Sequence, residues 1–304
     1  MNTGNEQAFE FRKVACSACG ADNPKLLGYR GGSAHHGGNG LRTAIVRCGD
    51  CSHLYPNPMP FPAQGLDNLY TDPENYFSNH DVEKGKRIGL ELMHEFESVL
   101  GRQGRFLDVG CGRGEKLWAA RESGWEYEGV DASSAYLEWG RTKLGVTGRL
   151  ATLEEAKYPD STFDAVSMAG LVEHLYDPYS TLCEVRRVLR PGGVLWFNAP
   201  NEDGLYTQIG NLYMRSLRRD WVVNLAPTFS PFHVQGFNPR SLRTLLKRVN
   251  FTVERFRVRG EMYPQTGNPS VRKRLEYGAA ILVNWVGNRC GAGIYIDVWA
   301  KKSE

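Results

Sequence analysis

The chain has 304 residues, of which 41% are hydrophobic and 23% are charged, and its formal net charge is +3 at pH 7. This length can bury a full core, and the composition is that of an ordinary soluble protein. The sequence holds no run of about 18 apolar residues, which argues against a transmembrane helix. The polar residues 1–10 lack the layout of a signal peptide, so a cytoplasmic location is expected.

Charge is distributed unevenly along the chain. Residues 211–304 hold 16 Lys/Arg and 6 Asp/Glu, a net charge of +10, whereas residues 1–210 hold 21 and 28, a net charge of −7. A basic C-terminal third predicts an anionic partner, either a phosphate-bearing substrate or nucleic acid. A solvated surface with scattered arginines is an equally good interpretation of the same residues.

The first motif along the chain is a pair of C-x-x-C sequences separated by 28 residues. Its members are Cys16, Cys19, Cys48 and Cys51. Without a secretion signal, this pattern favours a metal site over disulfide bonds. Four thiolates complete a closed tetrahedral site, so we expect one structural Zn²⁺. The alternative is that a nearby histidine, His35, His36 or His53, replaces one thiolate.

The first 100 residues are predicted to form two parts. Residues 1–60 have the pattern of a zinc-ribbon domain, which is too small to fold without its metal. Residues 61–100 are predicted to form a proline-rich linker and a helical lid, with a helix over 81–100 whose apolar residues recur at helical spacing. Tyr76 lies in this lid and is expected to close over a ligand, although packing against the ribbon would explain it as well.

From residue 105 onwards, predicted strands and helices alternate. The predicted strands cover residues 106–109, 127–130, 163–168 and 193–198. The helices between them cover residues 116–123, 134–144 and 178–188. Such alternation predicts a doubly wound, mostly parallel sheet, in which ligands bind at the carboxyl ends of the strands.

Periodicity is weaker after residue 200. Residues 201–236 are aromatic and basic, and we expect them to be an insertion over the acceptor site. Four aromatic residues in it are expected to line that site or to pack in the core: Tyr206, Tyr213, Trp221 and Phe232. The predicted elements beyond it are a helix, a strand, a helix and a strand at residues 239–249, 252–258, 271–284 and 293–300. The last two strands are expected to pair at one edge of the sheet.

The strand at residues 106–109 leads into a turn with three glycines, Gly110, Gly112 and Gly114. Glycines let the chain turn sharply into a helix while a ligand approaches the backbone and the free N–H groups of that helix. Asp131 follows Gly114 by 17 residues, where a carboxylate can accept hydrogen bonds from ribose hydroxyls. Asp108 precedes the glycines and can hold a cationic amino group. A ligand with an amino-acid end and an adenosine end suits this arrangement better than a pyrophosphate does.

Five segments, taken together and in order, resemble the motifs of class I S-adenosylmethionine-dependent methyltransferases. They are residues 106–115, 129–131, 163–166, 171–178 and 188–201. The resemblance covers about residues 101–260 and implies that residues 101–304 form a Rossmann-like domain with a seven-stranded, mostly parallel sheet. The paired cysteine motifs followed by this domain are similar to bacterial methyltransferases of glycan and secondary-metabolite pathways.

The resemblance also implies which residues bind S-adenosylmethionine. It places the methionine part against Asp108, Gly110, Gly112 and Gly114, and the ribose against Asp131. It places the adenine beside Thr152 and Leu153, and the sulfonium beside Ala169 and Gly170. The set is completed by Cys111 in the turn, Ala132 after Asp131, and Tyr76 in the lid.

Methylation of a hydroxyl needs a base within hydrogen-bond reach, and histidine is the usual candidate. The two best-placed histidines are His233, in the loop near the insertion, and His174, just after the fourth strand of the domain. The alternative for His174 is an orienting hydrogen bond beneath the cofactor. Cys183 and Cys290 are expected to be core or loop residues rather than nucleophiles.

These observations favour methyl transfer to a hydroxyl of a small-molecule or glycan acceptor, such as a sugar or a phosphate-bearing intermediate. One alternative is an rRNA or tRNA base methyltransferase that uses the ribbon to bind RNA, and another is a sugar C-methyltransferase. The sequence lacks the Asn/Asp-Pro-Pro-aromatic motif of base amino-group methylation and the Pro-Cys dipeptide of cytosine C5 chemistry. A non-catalytic binding protein is a third alternative, which the intact cofactor motifs disfavour. The oligomeric state and the acceptor are left open.

Overall fold

The computed structural model describes residues 9–32, 40–63, 81–226, 232–260 and 271–303, apart from the side chains of residues 271–273, 275 and 276. Tyr76, His35 and His36 lie outside the described residues, so their predicted roles are not addressed below. Among the described helices, none is both long and apolar enough to cross a lipid bilayer.

The described part of the chain contains strands and helices with the following bounds. The first strands are β1 (Phe9–Arg12), β2 (Pro24–Arg30), β3 (Thr43–Cys48), β4 (Leu54–Pro56) and β5 (Met59–Pro62). The later strands are β6 (Arg105–Val109), β7 (Glu126–Asp131), β8 (Arg149–Leu150), β9 (Phe163–Ala169), β10 (Leu189–Pro200), β11 (Phe251–Arg259) and β12 (Tyr295–Lys302). The helices are α1 (Val82–Leu100), α2 (Glu115–Glu122), α3 (Ser134–Lys143), α4 (Leu153–Ala156), α5 (Pro178–Val188), α6 (Leu205–Ser216), α7 (Pro239–Arg248) and α8 (Val271–Arg289).

The central sheet has seven strands in the order β11-β12-β10-β9-β6-β7-β8. Strand β6 pairs in parallel with β7 and with β9, and β7 pairs in parallel with β8. The chain therefore runs from β6 outwards to β8 and then returns to the other side of β6. That reversal creates a topological switch point between β6 and β9, where ligands of such sheets bind. The expected Rossmann-like, mostly parallel sheet is confirmed.

The predicted elements of the sheet agree with the structure to within a few residues because their ends carry strong local signals. Ser133 caps α3 by accepting a hydrogen bond from the Tyr136 backbone N–H. Asp177 caps α5 in the same way, and Pro178 occupies its first turn. The insertion, for which weak periodicity predicts no particular element, contains the helix α6. The last helix, α8, is longer than expected and continues to Arg289.

Helix α1 packs closely on α2 because it presents glycine to it. A Cβ atom placed on Gly89 would lie 2.8 Å from the Ala119 Cβ, and one on Gly85 would lie 3.1 Å from Glu115 Cγ. On the same side of α1, Phe96 is fully buried and contacts Phe106 of β6 and Trp299. The aromatic and aliphatic side chains of this region form one continuous core beneath the central sheet strands.

The chain divides into two compact units. The first comprises Met1–Phe61, Asn198–Leu245 and Arg255–Asp297, and the second comprises Pro62–Phe197, Leu246–Glu254 and Val298–Glu304. Within the first unit, β2, β3 and β4 form a three-stranded antiparallel sheet that carries the cysteine motifs. The sequence-based boundaries at residues 60 and 100 stay a prediction.

Candidate active site

The glycine turn lies in the second unit, at the carboxyl end of β6. Gly112 and Gly114 have φ angles of +54° and +81°, values that side-chain-bearing residues rarely adopt. A Cβ atom on Gly114 would lie 2.7 Å from Val146 Cγ2, so the turn has no room for a side chain there. Gly114 then caps α2, whose first backbone N–H groups are available to a ligand.

Asp131 is held against this turn by two backbone hydrogen bonds. Gly112 N donates to Asp131 Oδ2 and Ser133 N donates to Asp131 Oδ1, each over 2.8 Å. Each of the two carboxylate oxygens can accept about two hydrogen bonds. One is already accepted on each oxygen, so each can accept one more from a ligand diol. Burial raises the pKa of Asp131, although the two N–H donors oppose that rise. The geometry fits the ribose-binding role that the resemblance implies.

Asp108 lies at the switch point and is fully buried. The Ser167 hydroxyl of β9 donates a hydrogen bond to Asp108 Oδ1, and Lys116 Nζ lies 3.6 Å from Asp108 Oδ2. Burial raises the pKa of Asp108, and the Lys116 ammonium opposes that rise. Neither partner was expected from the sequence. The one local signal is the position of Lys116 in the first turn of α2, directly after the glycine turn that follows Asp108.

The remaining predicted cofactor residues border the same edge of the sheet. Cys111 is buried and its N–H donates to Val130 O at 3.0 Å, and burial raises the pKa of its thiol well above the usual value. Thr152 caps α4 in a capping box with Glu155, and the Leu153 side chain is buried. Ala169 ends β9 and Gly170 follows with a φ of +56°. Their assignment to adenine and sulfonium stays a prediction.

The four expected metal ligands come together in the first unit. Cys16 Sγ lies 3.5 Å from Cys51 Sγ, and Cys19 Sγ lies 3.6 Å from Cys48 Sγ. All four sulfurs are within 4.8 Å of one another. A tetrahedron with Zn–S distances of about 2.3 Å has sulfur–sulfur distances of about 3.8 Å, so the four thiols fit a Zn²⁺ ion.

Each cysteine pair belongs to a turn of the same shape. Gly20 N donates to Cys16 O at 2.7 Å, and Ser52 N donates to Cys48 O at 3.0 Å. The residue after each pair is left-handed, with φ angles of +83° for Gly20 and +66° for Ser52. Two equivalent tight turns that aim four sulfurs at one point are typical of a structural metal site.

The expected alternative ligand His53 has another role. It is fully buried, and its Nε2 hydrogen-bonds to Gln235 Oε1 at 2.7 Å. Burial lowers the pKa of His53 to about 4, which favours the neutral imidazole. Ser17 Oγ donates to the same Gln235 oxygen at 2.7 Å. His53 therefore joins the ribbon to the insertion within the first unit.

The insertion is bonded to the ribbon along its length. Leu54 and Gly236 exchange two backbone hydrogen bonds of 2.9 and 2.7 Å. Arg47 forms a bidentate ion pair with Asp203, in which Arg47 Nη2 lies 2.8 Å from Asp203 Oδ1 and Nη1 lies 3.3 Å from Oδ2. Further bonds tie the β2 end of the ribbon to residues 220–222. These contacts join residues more than 150 positions apart, so no local sequence pattern predicts them.

Within the first unit, ribbon and insertion residues line a small cavity that includes Arg30 and His233. Arg30 is 7% exposed, its Nη1 donates to Val222 O at 2.8 Å, and its guanidinium lies 4.8 Å from the Trp221 ring centre. Among the described residues, Arg30 Nε has no hydrogen-bond partner. Burial lowers the pKa of Arg30 and the nearby Glu202 carboxylate opposes this. The cavity combines a cation, a histidine and apolar walls.

The other predicted residues of the acceptor side are placed as follows. His174 is half-buried in the second unit, and its backbone N–H donates to Leu171 O at 2.9 Å. Phe232 lines the small cavity of the first unit, and its role at an acceptor site stays a prediction. Tyr206 and Tyr213, on α6, are 50% and 58% exposed. The expectation that they pack in the core is therefore wrong, since the opposite face of α6 makes the contacts with the protein.

Comparisons with known proteins agree with this geometry. A methyltransferase domain family matches residues 80–255, more than half of the chain. A Mycolicibacterium smegmatis protein named "Probable S-adenosylmethionine-dependent methyltransferase" is 27% identical over 211 residues, which cover 68% of this chain and 70% of that protein. A "Ubiquinone biosynthesis O-methyltransferase" of Hahella chejuensis is 29% identical over 233 residues, 73% of this chain and 90% of that protein.

A solved structure supports the fold. The "putative sarcosine dimethylglycine methyltransferase" from Galdieria sulphuraria superposes with a TM-score of 0.51 at 16% identity, covering 78% of this chain and 99% of that one. Sequence motifs, switch-point geometry and family match all lead to the same assignment. The chain belongs to the methyltransferase domain family and is an S-adenosylmethionine-dependent methyltransferase.

Proposed function

We propose that this enzyme methylates a hydroxyl group of a small-molecule or glycan acceptor that carries a negative charge. When bound, S-adenosylmethionine supplies an electrophilic methyl group, and the protein must bind the cofactor, hold the acceptor and remove the hydroxyl proton. Several relatives that carry an O-methyltransferase name support oxygen as the methylated atom. The observation that carries the cofactor assignment is the clamp of Asp131 by the glycine turn.

The buried cation of the first unit supports the anionic acceptor. The cavity beside it has room for about one water molecule, so only the anionic group of the acceptor, and not its body, is proposed to bind there. A guanidinium that is buried beside apolar walls binds a carboxylate or phosphate more strongly than an exposed one, because water competes less. Arg30 supplies this group, and its Nε has no hydrogen-bond partner in the described part of the chain. His233 lines the same cavity and is our first candidate for the base. His174 is the second.

Replacing the base should slow methyl transfer without weakening cofactor binding. We expect His233→Ala to lower kcat at least about 100-fold, the usual contribution of a positioned general base, and to leave the affinity for S-adenosylhomocysteine unchanged. The measurement is transfer of isotope-labelled methyl groups to metabolites of a cell extract, followed by kinetics on the labelled product. His94→Ala, at an exposed position of α1, is the matched control.

Two outcomes would contradict the assignment of His233. Full turnover of His233→Ala with a large loss in His174→Ala transfers the role to His174. Full turnover of both variants excludes a histidine base.

Removing the buried cation should raise the KM for the acceptor. We expect Arg30→Gln to raise it at least about tenfold, the equivalent of one charge-assisted hydrogen bond, while Arg30→Lys keeps part of the affinity. Arg42→Gln changes an exposed arginine of the ribbon and should have no effect. An unchanged KM in a folded Arg30→Gln enzyme would refute the anionic acceptor.

The cysteine cluster is proposed to hold one structural Zn²⁺, so that residues 1–60 form a zinc ribbon ahead of a linker, a lid and the catalytic domain. The contacts of the ribbon with residues 220–236 support a role in building the acceptor cavity rather than in binding RNA. A cytoplasmic enzyme of glycan or secondary-metabolite synthesis remains our proposal. Label incorporated into rRNA or tRNA, or into a sugar carbon, would favour the two alternatives.

A further inference from the structure

Helix α6 exposes its apolar side chains to solvent. Tyr206, Ile209, Tyr213 and Leu217 follow one another at helical spacing and share one face, with Leu212 beside it. All five are exposed, Leu212 by 67%, and no residue of α6 is buried. A surface helix normally shows the reverse arrangement, with its apolar face towards the core.

The opposite face of α6 is polar and is bound to the protein. Asn211 Oδ1 accepts a hydrogen bond from Val223 N at 2.9 Å, and Asn211 Nδ2 donates to Asn224 Oδ1 at 2.7 Å. Gly210, at the edge of the apolar face, lets the helix approach the same segment, since a Cβ there would lie 2.9 Å from the Val223 side chain. The orientation of α6 is therefore fixed by specific bonds, and its apolar face points outwards.

Helix α8, which packs beside α6 in the same unit, repeats this arrangement. Its exposed positions include Ile281, Leu282 and Trp285, whereas Asn284 and Gly287 are buried. The two helices are in close contact, because a Cβ on Gly287 would lie 3.3 Å from the Leu205 Cβ. Together they carry eight large, exposed apolar side chains, far more than the scattered few that a monomer's surface usually shows.

Arginines accompany this apolar surface. Exposed examples on or just after the two helices are Arg215, Arg218, Arg219, Arg274 and Arg289. The guanidinium of Arg289 lies 3.9 Å from the Trp285 ring centre. Residues 205–220 contain three arginines and one acidic residue. Apolar residues with tyrosine, tryptophan and arginine are typical of helices that lie in the headgroup region of a membrane.

We propose that α6 and α8 dock the enzyme onto the surface of an anionic phospholipid bilayer. The apolar side chains enter the boundary between headgroups and acyl chains, and the arginines pair with lipid phosphates. A second copy of the chain is a poorer occupant, because a symmetric contact would bring two sets of arginines together. This docking requires no membrane-crossing helix, and it is independent of the proposed acceptor chemistry.

The test is sedimentation of the full-length protein with lipid vesicles. We expect binding to phosphatidylcholine vesicles that contain about 30 mol% phosphatidylglycerol, and little binding to phosphatidylcholine alone. Raising NaCl from about 0.1 M to about 1 M shortens the Debye length from about 10 Å to about 3 Å and should weaken binding. The double variant Leu212→Ser/Leu282→Ser should partition at least about tenfold less, because two apolar side chains no longer enter the lipid.

Matched controls distinguish docking through this surface from nonspecific adsorption of the protein to vesicles. Leu26→Ser changes a ribbon leucine that is as exposed as Leu282, both at 60%, and should bind normally. Arg219→Glu should weaken binding, whereas Arg141→Glu, at an exposed site in the other unit, should not.

Three results would overturn the proposal. The first is that the wild-type protein does not bind anionic vesicles, and the second is that Leu26→Ser loses as much vesicle binding as Leu212→Ser/Leu282→Ser. The third is that the wild type does not bind vesicles but forms a stable dimer, which Leu212→Ser/Leu282→Ser converts to a monomer. Binding of S-adenosylhomocysteine to every variant is measured in parallel. Because these residues and the cofactor motifs belong to different units, intact cofactor binding shows that a failure concerns only the docking surface.

Discussion

Asp131→Ala is expected to lose most of the affinity for the cofactor. The substitution removes both acceptor positions proposed for the ribose and also leaves the Gly112 and Ser133 N–H groups without their carboxylate. Two charge-assisted hydrogen bonds of about 1.5 kcal/mol each correspond to at least a 100-fold rise in Kd. Titration calorimetry with S-adenosylhomocysteine measures it directly.

Two further variants show whether the effect comes from the carboxylate itself. Asp131→Asn keeps the shape and one acceptor oxygen, so its affinity should be intermediate. Asp160→Ala removes an exposed carboxylate, 77% accessible, and should bind normally. Equal affinity of wild type and Asp131→Ala would contradict the assignment of the ribose site.

Cys16→Ser is expected to abolish metal binding and to destabilise the first unit. The purified wild-type protein should contain about one Zn²⁺ per chain by elemental analysis, and the variant should contain far less. Structural zinc sites bind with apparent free energies of about 10 to 16 kcal/mol, so the loss should be visible as a lower, broader thermal transition. A strong chelator should produce the same change in the wild type.

Cys290→Ser is the control for this experiment, because Cys290 is an exposed thiol at the end of α8. It should keep one Zn²⁺ and the wild-type transition. A wild-type protein free of zinc and other metals after preparation without chelators would contradict the proposed site, as would full metal content in Cys16→Ser.

Much of the central sheet could be predicted because the determining signals are local. Strand β6 is a short apolar run followed by glycines, and α5 starts at an Asp-Pro pair and ends where the apolar spacing ends. The cysteine motifs are local as well, since each pair forms its own turn. Only the meeting of the two turns depends on the fold, through the antiparallel pairing of β2 and β3.

The sequence was less informative where a residue's role depends on distant partners. Asp108 could be placed on its strand, but its contacts with Lys116 and Ser167 required the α2 packing and the β6–β9 pairing. Arg30 resembled any surface arginine until Val222 and Trp221 were brought over it.

Helix α6 was missed for a different reason. Its segment is aromatic and basic with weak periodicity, and the usual rule assigns the apolar face of a helix to the core. The polar face is the one that contacts the protein, which sequence spacing alone does not reveal.

The bonds between ribbon and insertion have a thermodynamic consequence for the enzyme. Cys51 and His53 are two residues apart, and His53, Leu54 and the adjoining segment hold Gln235 and Gly236 by side-chain and backbone bonds. Any ion that orders the cysteine turns must also favour the conformation of the segment bearing His233. With the proposed zinc and acceptor sites, we expect zinc occupancy and acceptor affinity to be linked equilibria, in which each ligand strengthens the binding of the other by the same factor. Zinc-depleted enzyme should accordingly require more acceptor for half-maximal rate, while its affinity for the cofactor, whose residues belong to the other unit, stays the same.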